Sequence, residues 1–113
     1  FDPMEVRVFI ILLSYVKPLD EVDRLLAQHS AYLERNYAAG HFLVSGRRVP
    51  RTGGVILAHG STIEEIEAVV STDPLITEGV ATSEVIEFEP GRWADDFGHL
   101  RPEGTGGRAS NVD

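Results

Sequence analysis

The chain has 113 residues, 42% hydrophobic and 25% charged, which bounds it to one globular domain around one core. Its formal net charge of −8 argues against nucleic acid or anionic membrane as a partner, because either needs a cationic footprint. With no cysteine, disulfides, thiolate nucleophiles and Cys-ligated zinc are excluded together.

No run of about 18 apolar residues occurs to span a bilayer. No charged stretch precedes an apolar one at the start, so a signal peptide is not expected and a cytoplasmic protein is. Met4 is the expected natural start, with Phe1, Asp2 and Pro3 a cloning remnant.

Val6 to Leu13 is β-branched, aromatic and almost unbroken in its apolarity, so it reads as a strand buried on both faces. Pro18 stops it. Asp20 is the expected N-cap of a helix running to about Ala39, with Glu21 and Asp23 in its acidic first turn and Gly40 just past its end. At about 100° per residue, Leu19, Val22, Leu25, Leu26, His29, Leu33 and Asn36 share one stripe. His29 therefore faces the core.

His41 to Gly46 reads as a second strand and Gly54 to Ala58 as a third, joined by a polar hairpin loop from Arg47 to Gly53. Ser61 with Glu64 makes a capping box, and Thr62 with Glu65 repeats it one residue later. The short helix that follows has Ile63, Ile66, Val69 and Val70 on one face and ends near Ser71, because Pro74 disfavours helical geometry at Asp73. A last strand runs from about Ala81 to Phe88.

The order β-α-β-β-α-β predicts a ferredoxin-like α+β fold, a four-stranded antiparallel sheet with both helices on one face. The other face lacks a cover, although the first strand is apolar on both sides. A second copy packed sheet against sheet is the expected cover, giving a homodimer and a dimeric α/β barrel. The domain is expected to span residues 4–90. The remainder, residues 91–113, reads as a tail rich in Gly, Pro and charge, with Trp93 and Phe97 expected to dock on the body or the partner subunit.

Charge is unevenly spread. Arg35, Arg47, Arg48 and Arg51 occur between residues 35 and 63 without an acid, whereas residues 64–89 hold eight acids and no base. Two solvated faces explain the split. A sharper reading has the arginine-rich segment attract an anionic ligand, or pair with the acidic segment of a partner chain.

The candidate site joins His29 to Asp73. His29 lies ten residues, about 15 Å, above the lower end of the first helix. The second helix climbs a similar distance before Asp73, so the two side chains stand level between helices and sheet. A buried carboxylate beside an imidazole fixes its tautomer, the usual arrangement for a general base or acid.

Four segments in order, Gln28 to Leu33 with His29, Ala39-Gly40, Val44-Ser45-Gly46 and Ser71-Thr72-Asp73-Pro74, resemble the YCII-related family. The resemblance extends over roughly Val6 to Phe88. It implies a dimeric ferredoxin-like α+β barrel and a His–Asp active site on His29 and Asp73. It also implies proton-transfer chemistry like that of a member that dehydrochlorinates a chlorinated hydroxyquinol. One departure is Arg47, where many relatives carry proline after the strand-two glycine, so the pocket rim is expected to differ from theirs.

Arg47 or Arg48 is a candidate anion clamp, Ser45 a ligand hydrogen-bonder at a strand end, and Tyr32, like Tyr15, a donor to a developing oxyanion. His41, His59 and His99 share no metal-ligand spacing with each other or with His29, so no metal is expected. Gly53-Gly54 is a hairpin turn, no phosphate loop or Gly-x-Ser-x-Gly elbow occurs, and no cofactor is expected.

Two functions follow. One is an enzyme moving protons on a small organic acid or phenol (lyase, isomerase or hydrolase). The other is a non-catalytic ligand-binding or assembly module in which the His–Asp pair is structural.

Overall fold

β1 (Arg7–Tyr15), the strand apolar on both sides, lies inside the sheet. In the computed structural model, which describes residues 7–100 (without the side chains of His99 and Leu100), it pairs antiparallel with two neighbours. These are β3 (Gly53–Gly60) and β4 (Ala81–Phe88), and β2 (Phe42–Arg47) flanks β3, for the order β2-β3-β1-β4. The sheet and its helices form the expected ferredoxin-like α+β fold. The expected remnant before Met4 and the tail beyond Leu100 lie outside the described residues.

Alternation along β1 assigns the two faces. Phe9, Ile11 and Leu13 point toward the helices and are buried. They meet Tyr32, Phe42, Ile56, Ala58, Ile66 and Val70 in the main core. Ile10 and Leu12 belong to the opposite face with their cross-strand partners Leu57, Val55 and Ile86. Val8 is buried on that side, but Val44, Val55, Ile86 and Phe88 are exposed, Val44 by 57%.

The first helical segment is not one helix. α1 (Leu19–Asp23) and α2 (Leu26–Ala38) are separated at Arg24 and Leu25, where Leu25 N–H donates to Val22 O at 2.9 Å in a tighter turn. The break lets Val22 and Leu25 enter a second cluster with Leu75, Val80 and Ala81. It also changes the helical phase, so Leu19 is exposed while Tyr32 is buried. Pro18, not Asp20, occupies the N-cap position, because Pro pre-sets the backbone angle there. The C-terminal stop is as expected. Gly40 takes φ +86°, and the Gly40 and His41 N–H groups donate to Tyr37 O and Asn36 O, which closes α2 in a Schellman turn.

Of the two overlapping capping boxes, the second forms. Thr62 caps α3 (Ile63–Val70) by accepting from Glu65 N–H, and Glu65 Oε1 accepts from Ser61 N–H at 2.7 Å. Glu65 Oε2 also lies 3.3 Å from His41 Nε2, tying α3 to the end of α2. A further helix, α4 (Pro74–Thr77), follows without being foreseen.

Register in β2 carries consequences for the site. Phe42 pairs with Ala58 but Val44 with Leu57, a bulge of one extra residue. Phe42 thus faces the helices while Val44 faces outward, and beyond the bulge Ser45 and Arg47 return to the helix side opposite Ile56 and Gly54. Without the bulge, the two-residue period would turn Ser45 and Arg47 to the other face.

After β4, Pro90 and Gly91 are buried and Trp93 is half-buried, consistent with an anchor. Phe97, in a 3₁₀ segment (Asp95–Leu100), is 51% exposed.

Hydrogen bonding from Ser61 N–H is the main cause holding the Glu65 carboxyl below its ordinary value; burial opposes it, and His41 adds to it. A depressed folded pKa gives stability that is present above the unfolded carboxyl range and lost as pH falls through the folded value. Thermal melts between pH 6 and 3 are expected to show wild type losing more stability on acidification than Glu65→Gln. The difference stays below about 1 kcal/mol, because the side chain is 39% exposed and screened by water.

Candidate active site

A cleft of about 240 Å³ opens between α2 and the β2–β3 half of the sheet. Leu13, Ile56 and Gly54 line its sheet side, Leu26, His29 and Leu33 its helix side, and Leu75 closes one end. Gly54 contributes no side chain at a helix-facing position, which keeps the space open. Gly53 next to it is fixed as glycine for another reason, since a Cβ there would lie 1.8 Å from the Leu13 carbonyl oxygen.

His29 and Asp73 meet as expected. His29 Nδ1–H donates to Asp73 Oδ1 at 2.9 Å, with the His29 side chain 16% exposed and the carboxylate buried. The same oxygen accepts from Leu75 N–H at 2.9 Å, because Asp73 is the N-cap of α4 with Pro74 at its first position. A carboxylate on Nδ1 sets the tautomer with the proton there. Nε2 is then the ring nitrogen left with a lone pair, on a side chain that lines the cleft.

Tyr32 sits behind this pair rather than in the cleft. Its ring stacks on His29 with centroids 5.8 Å apart, and it is 1% exposed. Burial, reinforced by the charge of Asp73, pushes its phenol above the ordinary value, so it stays neutral. The Tyr32 hydroxyl and Asp73 Oδ2 are both buried without a hydrogen-bond partner among the described residues.

The rim is polar. Ser45 and Arg47 line it, as the bulge in β2 dictates, and Ser45 Oγ is hydrogen-bonded to the Tyr37 hydroxyl at 2.6 Å. Arg48 turns the other way and donates to Ser14 Oγ at 3.3 Å, so it does not line the cleft. Arg51, not singled out from the sequence, does line it together with Tyr15. Its Nη2 is bonded to Asp23 Oδ1 of α1, and that bond is the largest cause raising its pKa. Knowing which hairpin arginines fold inward requires the register, which the sequence leaves open. The signal for α4 was readable: Asp-Pro is a helix start as much as a helix stop.

His41 is bonded to Asn36 and Glu65, outside the cleft. Among the described residues no three His, Asp or Glu side chains gather into a metal-binding group.

Comparison with known proteins agrees with this architecture. A family model described as the YCII-related domain matches residues 8–89. No curated protein gives a significant match. The solved structure of 5-chloro-2-hydroxyhydroquinone dehydrochlorinase from Burkholderia phenoliruptrix, in complex with 2,5-dihydroxybenzoquinone, is similar with TM-score 0.64 and 23% identity, covering 74% of this chain and 95% of that one. SnoaB, a cofactor-independent oxygenase from Streptomyces nogalater, is more distant, with TM-score 0.48 and 14% identity over 80% of this chain and 98% of its own. At these identities the likeness is one of fold.

The double duty of Asp73 makes its variants separable. Asp73→Asn keeps a side-chain carbonyl to accept from Leu75 N–H and is expected to retain most of the stability. Asp73→Ala loses the cap and strands His29 Nδ1–H, for a loss of about 1–3 kcal/mol in urea denaturation.

Proposed function

The chain belongs to the YCII-related domain family, and on that premise we propose that it is a small-molecule enzyme working by general acid–base catalysis, in the manner of a lyase. One observation carries the reading: His29 is pinned through Nδ1 by a buried carboxylate while its side chain lines an open cleft. A purely structural histidine would have both nitrogens satisfied by protein. At about 240 Å³ the cleft is below the usual range for drug-sized ligands, roughly 300–1,000 Å³, and suits a small organic acid or a single phenolic ring.

In this mechanism Nε2 of His29 accepts the proton of a phenolic O–H or an acidic C–H. The imidazolium hands that proton to the ring carbon bearing the leaving group, which becomes tetrahedral as the phenol becomes a ketone. Loss of a second hydroxyl proton to the freed Nε2 then expels the group, such as chloride, as a second C=O forms, and the imidazolium releases its proton to solvent. Asp73 orients the ring and stabilises the imidazolium, and Arg47 at the rim offsets the developing negative charge. Ser45 offers a hydroxyl to the substrate. The dehydrochlorinase with the same fold supports chemistry of this kind without fixing the substrate.

The working unit in this reading is a homodimer joined through the open sheet face, where Val44, Val55, Ile86 and Phe88 are exposed side by side with Ile10 and Leu12. Burying such a face against a second copy removes apolar surface that water solvates poorly.

A second reading rests on the cap: Asp73 has a structural task at α4 whether or not His29 is catalytic. His29→Gln separates the two. Under the enzymatic reading the variant folds and dimerises but loses about 10²–10⁴-fold in turnover of a substrate found by screening halogenated hydroquinones and small hydroxy acids. Unchanged turnover with a lowered melting temperature would establish the structural reading instead. For the dimer, light scattering at micromolar concentration is expected to give twice the chain mass, and Ile86→Lys to shift it toward the monomer.

A further inference from the structure

Ser45 lines the cleft, but its hydroxyl does not stand alone. Tyr37, in the last turn of α2, reaches across to β2 and places its own hydroxyl 2.6 Å from Ser45 Oγ. Tyr37 does not line the cleft itself. Its ring meets that of Phe42 edge-on, with centroids 6.1 Å apart and planes at 88°, and Phe42 is buried in the main core. The phenol is thereby braced on one side by a core residue and fastened at its tip to the strand. Both contacts depend on the bulge in β2, which puts Phe42 and Ser45 on the helix side together.

The chemistry of the two hydroxyls sets the direction of their bond. A phenol is a stronger acid than an alkanol, so the Tyr37 O–H is the better donor and Ser45 Oγ the acceptor. The Ser45 proton is then left to be given away, from a side chain that lines the cleft. Without Tyr37 that hydroxyl is a free rotor, as able to accept as to donate. Two hydroxyls in series also polarise one another, which makes the outer one a stronger donor than a lone serine.

We propose that Tyr37 is a positioning residue: it donates to Ser45 Oγ and so sets the Ser45 hydroxyl to donate into the cleft, onto a substrate oxygen that gains negative charge. This rests on the acid–base reading of the cleft and adds a specificity to it. The site favours a ring with an acceptor oxygen at the rim, and Tyr37 acts on that oxygen only through Ser45.

The test uses 4-nitrophenol, whose phenolate absorbs visible light and shares its charge between the oxygens at both ends of the ring. It is titrated into the full chain, with its bound ionisation followed by absorbance against pH and the His29 ring by NMR. Wild type is expected to bind the phenolate more tightly than the neutral phenol, so that the ligand ionises at lower pH when bound than when free. Tyr37→Phe keeps the ring on Phe42 and removes only the hydroxyl. It is expected to cut the phenolate preference about three- to tenfold, the usual worth of one hydrogen bond. Ser45→Ala is expected to cut it at least as much, and adding Tyr37→Phe to Ser45→Ala to cut it no further. A Tyr37 that only braces the fold would lower the melting temperature and leave the ligand's ionisation where it was. An undiminished preference in Tyr37→Phe or in Ser45→Ala, or an equal loss from Tyr37→Phe with and without Ser45, would overturn the assignment. If 4-nitrophenol shifts His29 in that case, the acid–base site stands and only the role of Tyr37 falls. If wild type neither binds 4-nitrophenol nor shows a shift at His29, both fall together.

Discussion

The carboxylate of Asp73 is the constraint on which the candidate site depends. Its Oδ1 accepts from two donors of different origin, the backbone N–H of Leu75 and the ring N–H of His29. The first bond starts α4, whose Leu75 closes one end of the cleft and enters the second apolar cluster. The second bond fixes the rotation and tautomer of the imidazole. Helix cap and histidine orientation are therefore one feature: nothing can move α4 without moving the partner of His29. Two donors satisfy Oδ1 of this buried carboxylate, one of them a backbone N–H at the start of α4, while Oδ2 has no partner among the described residues.

The sheet supplies the second constraint. Its two faces differ in what they meet, and membership of a face follows from a period of two. A single extra residue in β2 reverses the parity of everything after it, placing Ser45 and Arg47 on the helix side and leaving Val44 outward. The hairpin then reverses direction, and Arg48 and Arg51 part ways, one toward Ser14 on the open face and the other into the cleft. The arginine-rich stretch is thus divided between two surfaces. It is not one basic patch.

Glycine and apolar residues shape the cleft as much as the polar ones do. Gly54 stands at a helix-facing position of the cleft, where a Cβ would lie 3.3 Å from the Gly46 carbonyl oxygen, and leucines from β1 and α2 line the same space.

Much of this was legible from residue order alone. The strand apolar on both faces had to be central, the Gly40 stop and the Thr62–Glu65 box fixed helix ends, and helix lengths counted at 1.5 Å per residue brought His29 level with Asp73. These are local rules of period, propensity and capping, and the sequence states them directly. The break at Leu25, the burial of Tyr32, the bulge in β2 and the inward turn of Arg51 were not legible there. Each arises because distant segments compete for the same space: Val22 and Leu25 turn to meet Leu75 and Val80, and β2 shifts to keep its pairing with β3. Residue order thus set the four strands, the main helices, their succession and the approach of His29 to Asp73. Which residues share the cleft with that pair was settled by folding, because register and helix phase are set by packing between segments far apart in the chain.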